Sequence, residues 1–254
     1  MESISRRSAL QLALSAAVGE QGPRTFVLVH GSWHGGWCWR DVERRLRASG
    51  HKVFAPTLTG LAERAHLLTR AVRLSTHVED VARLIEVEEL ERVSLVGHSY
   101  GGLVITHAAM KVTPRLSELV YLDAFVPASG QTGFELMQAK HTASWRKRAE
   151  AEGEGYRIPP MLNAKAMGVT DPKQAARVDL KLTAHPIGTY EERLEFDEAA
   201  WSRLQRRYIR CKAFGGFGPT AERAKKLGFR VQELDCGHDA MLADPEGLTK
   251  ALLG

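Results

Sequence analysis

From Thr25 onward, short apolar runs rich in β-branched residues alternate with longer stretches whose apolar positions recur every three or four residues. Residues 25–31 (TFVLVHG) are almost uninterruptedly apolar and end on glycine, the pattern of a strand buried on both faces of a parallel sheet. Residues 37–50 set Val42 and Leu46 on one helical face among charges, with Gly50 as the stop. A second short strand over 51–60 runs into a Pro/Gly loop. Over 75–90, Val78, Val81, Leu84 and Ile85 share a face, and Ser75 or Thr76 can cap that helix. Residues 92–111 read as strand, tight glycine-bounded turn and apolar helix. Residues 116–127 read as a strand ended by Pro127.

The alternation breaks between about residues 127 and 206, where EGEGYRIPPM, TDP and HPIG separate helical pieces and no sheet strand is expected. It resumes with a strand at 207–214, a Gly-rich loop, a helix at 219–228, a strand and loop over 229–241, and a last helix at 245–253. Strands alternating with helices imply right-handed crossovers. The expected fold is α/β: a doubly wound, mostly parallel sheet of about six strands with helices on both faces. One domain over 24–254 carries an inserted helical cap at about 127–206, since long insertions at strand ends are usually functional.

Composition narrows the class without changing that picture. The 254 residues are 44% apolar and 26% charged, ordinary for a globular protein, and no stretch approaches the roughly 18 apolar residues of a membrane span. Three cysteines, Cys38, Cys211 and Cys236, exclude a disulfide framework and every CxxC metal or redox pattern. The 35 basic and 30 acidic residues leave a net +5, but the basic runs at 44–47, 146–148 and 203–207 sit beside acidic or apolar residues. They read as solvated helix faces, and no nucleic-acid partner is expected. Residues 1–23 stand apart: Ser5-Arg6-Arg7-Ser8-Ala9-Leu10 resembles a bacterial twin-arginine export signal, with an apolar stretch from Ala9 to Val18 and small residues Ser15-Ala16-Ala17 for cleavage. The alternative is a frayed amphipathic segment on a cytoplasmic protein.

The chemistry concentrates in Gly97-His98-Ser99-Tyr100-Gly101, a G-x-S-x-G motif between an apolar strand and an apolar helix. That context is what a nucleophile elbow requires: a strained turn thrusts the Ser99 hydroxyl outward, and the following helix offers N–H groups to a developing oxyanion. In this architecture the second oxyanion donor comes from the loop after the first strand, so the backbone N–H groups of Ser32 and Tyr100 are the expected pair. A serine needs a base, and of ten histidines His238, just past the last predicted strand, is the one a sheet would return to the nucleophile. The orienting acid usually follows the penultimate strand, but 212–220 (KAFGGFGPT) holds no carboxylate. Asp123, at the end of the strand after the elbow helix, is favoured, with Glu222 as the rival.

The segments FVLVHGSWHGGWCW, PTLTGLAER, LVGHSYGG, LVYLDAFVP and CGHDAML resemble the α/β-hydrolase superfamily, within it the branch of plant methyl esterases, hydroxynitrile lyases and bacterial salicylate-esterase-like proteins. The resemblance covers about residues 25–253. It implies a parallel-dominated sheet with a helical cap, a Ser–His–acid triad with Ser99 and His238, and no cofactor or metal. The lyases of that branch carry a lysine just after the catalytic histidine; Asp239 stands there in this chain and would repel an anion, which argues for hydrolysis. The expected function is a serine carboxylester hydrolase working through an acyl-enzyme on a small to medium, apolar or aromatic ester. Trp33, Trp37, Phe134, Met137, Trp145 and Trp201 are the expected pocket residues. The rivals are a hydroxynitrile lyase, lactonase, C–C hydrolase or perhydrolase on the same scaffold, and a non-catalytic small-ligand receptor. A monomer or homodimer is expected.

Overall fold

In the computed structural model, which describes residues 22–254, six strands form one sheet: β1 (Thr25–Val29), β2 (Lys52–Phe54), β3 (Val93–His98), β4 (Leu116–Leu122), β5 (Arg206–Cys211) and β6 (Arg230–Leu234). Their order is β2-β1-β3-β4-β5-β6, and every neighbouring pair is parallel. Alternate residues of a strand face opposite ways, so β1 feeds two cores at once. Val27 and Val29 join one core with Val78 and Val81 of α2 (Leu74–Val87) and Leu103 and Ile105 of α3 (Gly101–Val112). Phe26 and Leu28 join the other with Val42 and Leu46 of α1 (Arg40–Ala48) and Leu248 and Leu252 of α7 (Pro245–Leu253). The unbroken apolar run of β1 is thus explained by burial on both faces.

Between β4 and β5 the chain forms α4 (Ala139–Glu152), α5 (Pro172–Asp179) and two shorter helices, Gly188–Glu191 and Glu198–Ser202. Ile158, Tyr190 and Trp201 of this segment join the same core as α2 and α3. It also contains a small antiparallel ladder, Arg157–Ile158 against His185–Pro186, where no strand was expected. Two-residue strands are too short to show a period of two, and a proline in one of them hides the pairing further. Beyond it, α6 (Gly218–Lys226) buries Ala221 and Ala224 on the α2–α3 side. The candidate export signal lies in residues 1–21, outside the described residues. Among the described residues no helix is long and apolar enough to cross a membrane.

The strand order reverses between β1 and β3, where a crevice opens beyond the carboxyl ends of the strands. Ligands of open parallel sheets bind at such a switch point.

Candidate active site

Ser99 follows β3 with φ 53°, a left-handed backbone that costs a non-glycine residue about 1–3 kcal/mol. The turn is held from both sides: Ser99 N–H donates to Leu122 O at 3.2 Å, and Ser99 O accepts from Gly102 N and Phe125 N, each at 3.1 Å. Glycine on either side is a matter of space. A Cβ at Gly97 would lie 2.6 Å from Gly101 O, and one at Gly101 would lie 2.9 Å from Val29 O. The expected strand–turn–helix elbow is therefore present, with the Ser99 side chain lining a cavity of about 420 Å³.

Asp123 sits one strand over, directly after β4, and also has positive φ, 41°. It is fully buried; its N–H donates to Ile209 O at 2.7 Å. Its two carboxylate oxygens are both used: Oδ1 accepts from Cys211 N at 3.3 Å and Oδ2 from His238 Nδ1 at 2.7 Å. The loop after β5 lacks a carboxylate, yet the last N–H of β5 supports the one that β4 supplies. Glu222, the rival, lies exposed on α6.

His238 follows β6 and turns its other ring edge to the cavity that Ser99 lines. Its ring stacks on Phe217 (centroids 5.3 Å, interplanar 5°) and Phe214 (4.5 Å, 29°), and its carbonyl accepts from His98 Nε2 at 3.0 Å. Among the described residues no hydrogen bond joins Ser99 Oγ to His238 Nε2, and catalytic contacts of this kind often tighten only around a bound substrate. The N–H groups of Ser32 and Tyr100 donate to no protein acceptor among the described residues, although both residues are buried. Free, buried donors beside a nucleophile are what an oxyanion would use.

Buried histidines hold those donors in place. His30 Nδ1 donates to Gly31 O at 2.8 Å and Nε2 accepts from Leu58 N at 3.1 Å, a pairing that needs the neutral ring. Burial lowers its pKa to about 3, in agreement. His77 donates through Nε2 to Thr59 O at 2.8 Å, so Nδ1 accepts from Tyr100 OH at 2.9 Å and anchors that side chain. His98, also buried, supports the backbone of His238; burial first, then the neighbouring His238 and His34, pushes its pKa well down, which keeps Nε2–H a neutral donor.

Asp239 differs from expectation. Its carboxylate is fully buried and absent from the cavity wall, with Oδ2 accepting from His34 Nε2 at 3.1 Å. His34 Nδ1 donates to Ser32 O at 2.8 Å, so one imidazole ties the loop after β1 to the residue that follows His238. The negative charge that was expected to repel an anion is spread over a pair rather than presented to substrate. Burial disfavours charged His34, but the Asp239 carboxylate and the Ser32 carbonyl together raise its pKa. A raised histidine contributes stability that is present below its unfolded pKa and is lost as pH rises through the folded value. Asp239→Asn should therefore cost about 3 kcal/mol near pH 6 and less near pH 9. Urea unfolding at the two pH values checks this; equal losses at both would refute the pairing.

The expected pocket residues divide. Trp33, Met137 and Trp145 line the cavity, with Trp33 Nε1 donating to Ile158 O at 3.2 Å and its ring 5.0 Å from Trp145. Phe134 does not: it lies behind the wall, its ring 5.3 Å from Tyr190, which takes the lining position. Trp201 does not either, because its buried indole N–H needs an acceptor and finds Tyr121 OH at 3.1 Å, away from the site. Trp37 stacks on His34 at 5.4 Å instead of facing the cavity. Phe125, Phe214, Phe217 and Tyr190 complete an aromatic lining that the sequence reading did not name. A shallower groove of about 570 Å³ along β2, between Arg47 and Phe54, contains none of the residues above.

A family model described as the alpha/beta hydrolase family matches residues 26–251. A carbendazim hydrolyzing esterase of Nocardioides sp. (strain SG-4G) is 39% identical over 241 residues, which are 89% of this chain and 97% of that protein. Salicylic acid-binding protein 2 of Nicotiana tabacum is 29% identical over 252 residues, 90% of this chain and 95% of that one. Among solved structures, an extracellular alpha/beta-hydrolase from a Paenibacillus species matches with a TM-score of 0.79 and 24% identity, over 91% of this chain and 98% of that one, a likeness of fold.

Proposed function

The chain belongs to the alpha/beta hydrolase family, and from that premise we propose that it hydrolyses small carboxylic esters with Ser99 as nucleophile, His238 as general base and Asp123 as orienting acid. The observation that carries this reading is the 2.7 Å bond from His238 Nδ1 to the buried Asp123, which leaves Nε2 bare toward the cavity that Ser99 lines. With Nδ1 protonated, Nε2 takes the Ser99 proton as Oγ attacks the ester carbonyl carbon. The carbonyl oxygen becomes an oxyanion between the N–H groups of Ser32 and Tyr100. Its collapse breaks the C–O bond, and the alcohol leaves with the proton from Nε2. Water then loses its proton to the same nitrogen, attacks the acyl-enzyme, and frees the acid and Ser99.

The β4–β5 segment acts as the cap in this reading. It supplies Leu136, Met137, Trp145, Met161 and Leu162 to the cavity and so shapes the substrate it admits. Aromatic and thioether side chains around about 420 Å³ favour an apolar or aromatic ester.

A fluorophosphonate should add covalently to Ser99 and to no other residue, detected by peptide mass spectrometry. An unmodified Ser99, or an adduct elsewhere, defeats the proposal. A panel of p-nitrophenyl esters, carbendazim and mandelonitrile then separates ester hydrolysis from cyanohydrin cleavage. Turnover of mandelonitrile alone would select the lyase reading.

A further inference from the structure

The hydroxyl of Ser32 bonds that of Tyr190, Oγ to OH at 2.7 Å, and both residues line the cavity that holds Ser99 and His238. Two hydroxyls bring two protons to one hydrogen bond. Among the described residues neither oxygen has any other protein partner, so one O–H of the pair is always left over at the cavity. A phenol is the more acidic of the two and the better donor, which puts the shared proton on Tyr190 and leaves the free one on Ser32. Burial pushes the Tyr190 phenol up, only partly opposed by the bond to Ser32, so it stays neutral and keeps a proton to donate.

Position matters as much as the proton count. Ser32 is the residue whose backbone N–H stands free beside the nucleophile, so its side chain extends from the same corner of the site. Tyr190 is held rigidly, its ring 5.2 Å from Trp145, 5.2 Å from Tyr100 and 5.3 Å from Phe134. An orienting group that need not move during reaction is what preorganised electrostatic catalysis demands.

Resting on the esterase reading above, we propose that the Ser32 side chain is a third oxyanion donor, and that Tyr190, reaching in from the β4–β5 segment, polarises and aims it. As Ser99 Oγ adds to the carbonyl, the Ser32 O–H turns to the forming O⁻ while Tyr190 O–H continues to donate to Ser32 Oγ. No proton is transferred between them; the donors only strengthen as charge develops. Ser32 is then a catalytic residue in two ways, through backbone and hydroxyl, and Tyr190 is a positioning residue that links the cap to the chemistry.

The test is the Ser32→Ala, Ser32→Cys, Tyr190→Phe set with the Ser32→Ala/Tyr190→Phe double variant, assayed on p-nitrophenyl acetate. Ser32→Ala keeps the backbone N–H and should lower kcat about 10- to 100-fold with KM within about twofold, less than the loss a principal donor can cause. Ser32→Cys keeps the size but offers a weak donor, and should fall with it. Tyr190→Phe should lower kcat about three- to tenfold, and the double variant should be no slower than Ser32→Ala, because Tyr190 acts only through that hydroxyl. Affinity for a trifluoromethyl ketone, which forms the oxyanion on Ser99, should drop by the same factor as kcat/KM. An unchanged kcat in both Ser32 variants, losses confined to KM, or multiplicative losses in the double variant would each overturn the assignment. A wild-type protein without ester turnover would instead overturn the function itself, so the two failures are distinguishable.

Discussion

Ser99→Ala should reduce kcat for a p-nitrophenyl ester by about 10⁶-fold while leaving the thermal midpoint almost unmoved. Both halves follow from the same geometry. The hydroxyl is the only group at the elbow that can form the acyl-enzyme, so its loss leaves a site that binds substrate and stabilises an oxyanion but has nothing to attack with. Residual turnover above the rate in water is still expected, because the free N–H groups of Ser32 and Tyr100 remain. Stability is spared because the Ser99 side chain makes no hydrogen bond among the described residues, whereas its backbone N–H and carbonyl make three. Alanine keeps all three and bears the same left-handed φ of 53° that serine already tolerates. The change in unfolding free energy should stay within about 0.5 kcal/mol. Ester turnover retained by Ser99→Ala, with the fold intact by circular dichroism, would remove Ser99 from the chemistry.

How far the sequence reveals this site depends on how local each part is. Ser99 is legible because an elbow is a local object: apolar strand, glycine, serine, glycine and apolar helix all fall within twenty residues. His238 is nearly as legible, since a histidine just after the last strand has one place to go once the sheet is parallel. That there are about six parallel strands follows from the alternation, but their order, β2-β1-β3-β4-β5-β6, is set by packing and is not written in it. The pocket wall does not. Trp201 and Phe134 carry the right chemistry for it, but Tyr121 OH and Tyr190 claim them, and those partners are tertiary.

The same holds for charges. Asp239 in sequence is a bare negative group beside His238; in the fold, His34, more than two hundred residues earlier, partners it. No spacing rule joins positions so far apart, nor does one join Ser32 to Tyr190. Three site residues, Trp33, Ser99 and Asp123, have left-handed backbones, yet only for Ser99 does a motif announce the strain. The closure of one site from four strand ends is where local reading stops and packing takes over.

Asp123→Asn should lower kcat about 10⁴-fold, whereas Glu222→Gln should leave it unchanged. The size of the first effect comes from counting donors and acceptors. Asp123 accepts twice, from Cys211 N–H at Oδ1 and from His238 Nδ1–H at Oδ2. An asparagine amide has one acceptor and one donor end, so one of these two N–H groups must face an NH₂. If the oxygen stays on His238, the buried Cys211 N–H loses its partner against a donor, at a cost of about 1–3 kcal/mol. If the amide turns to satisfy Cys211, its NH₂ meets His238 Nδ1 and forces the proton onto Nε2, where it blocks removal of the Ser99 proton. Either outcome damages the site, and the second does so without disturbing the fold. The two are separable: a fall in thermal midpoint with modest loss of kcat marks the first, and an intact midpoint with the full loss marks the second. High pH should not rescue the second, since the fault is a tautomer rather than a titration. Glu222 lies exposed on α6 and has no such accounting to upset. A loss confined to Glu222→Gln would overturn the assignment of the acid, and with it the claim that β4 takes over the role usually left to the strand beside it.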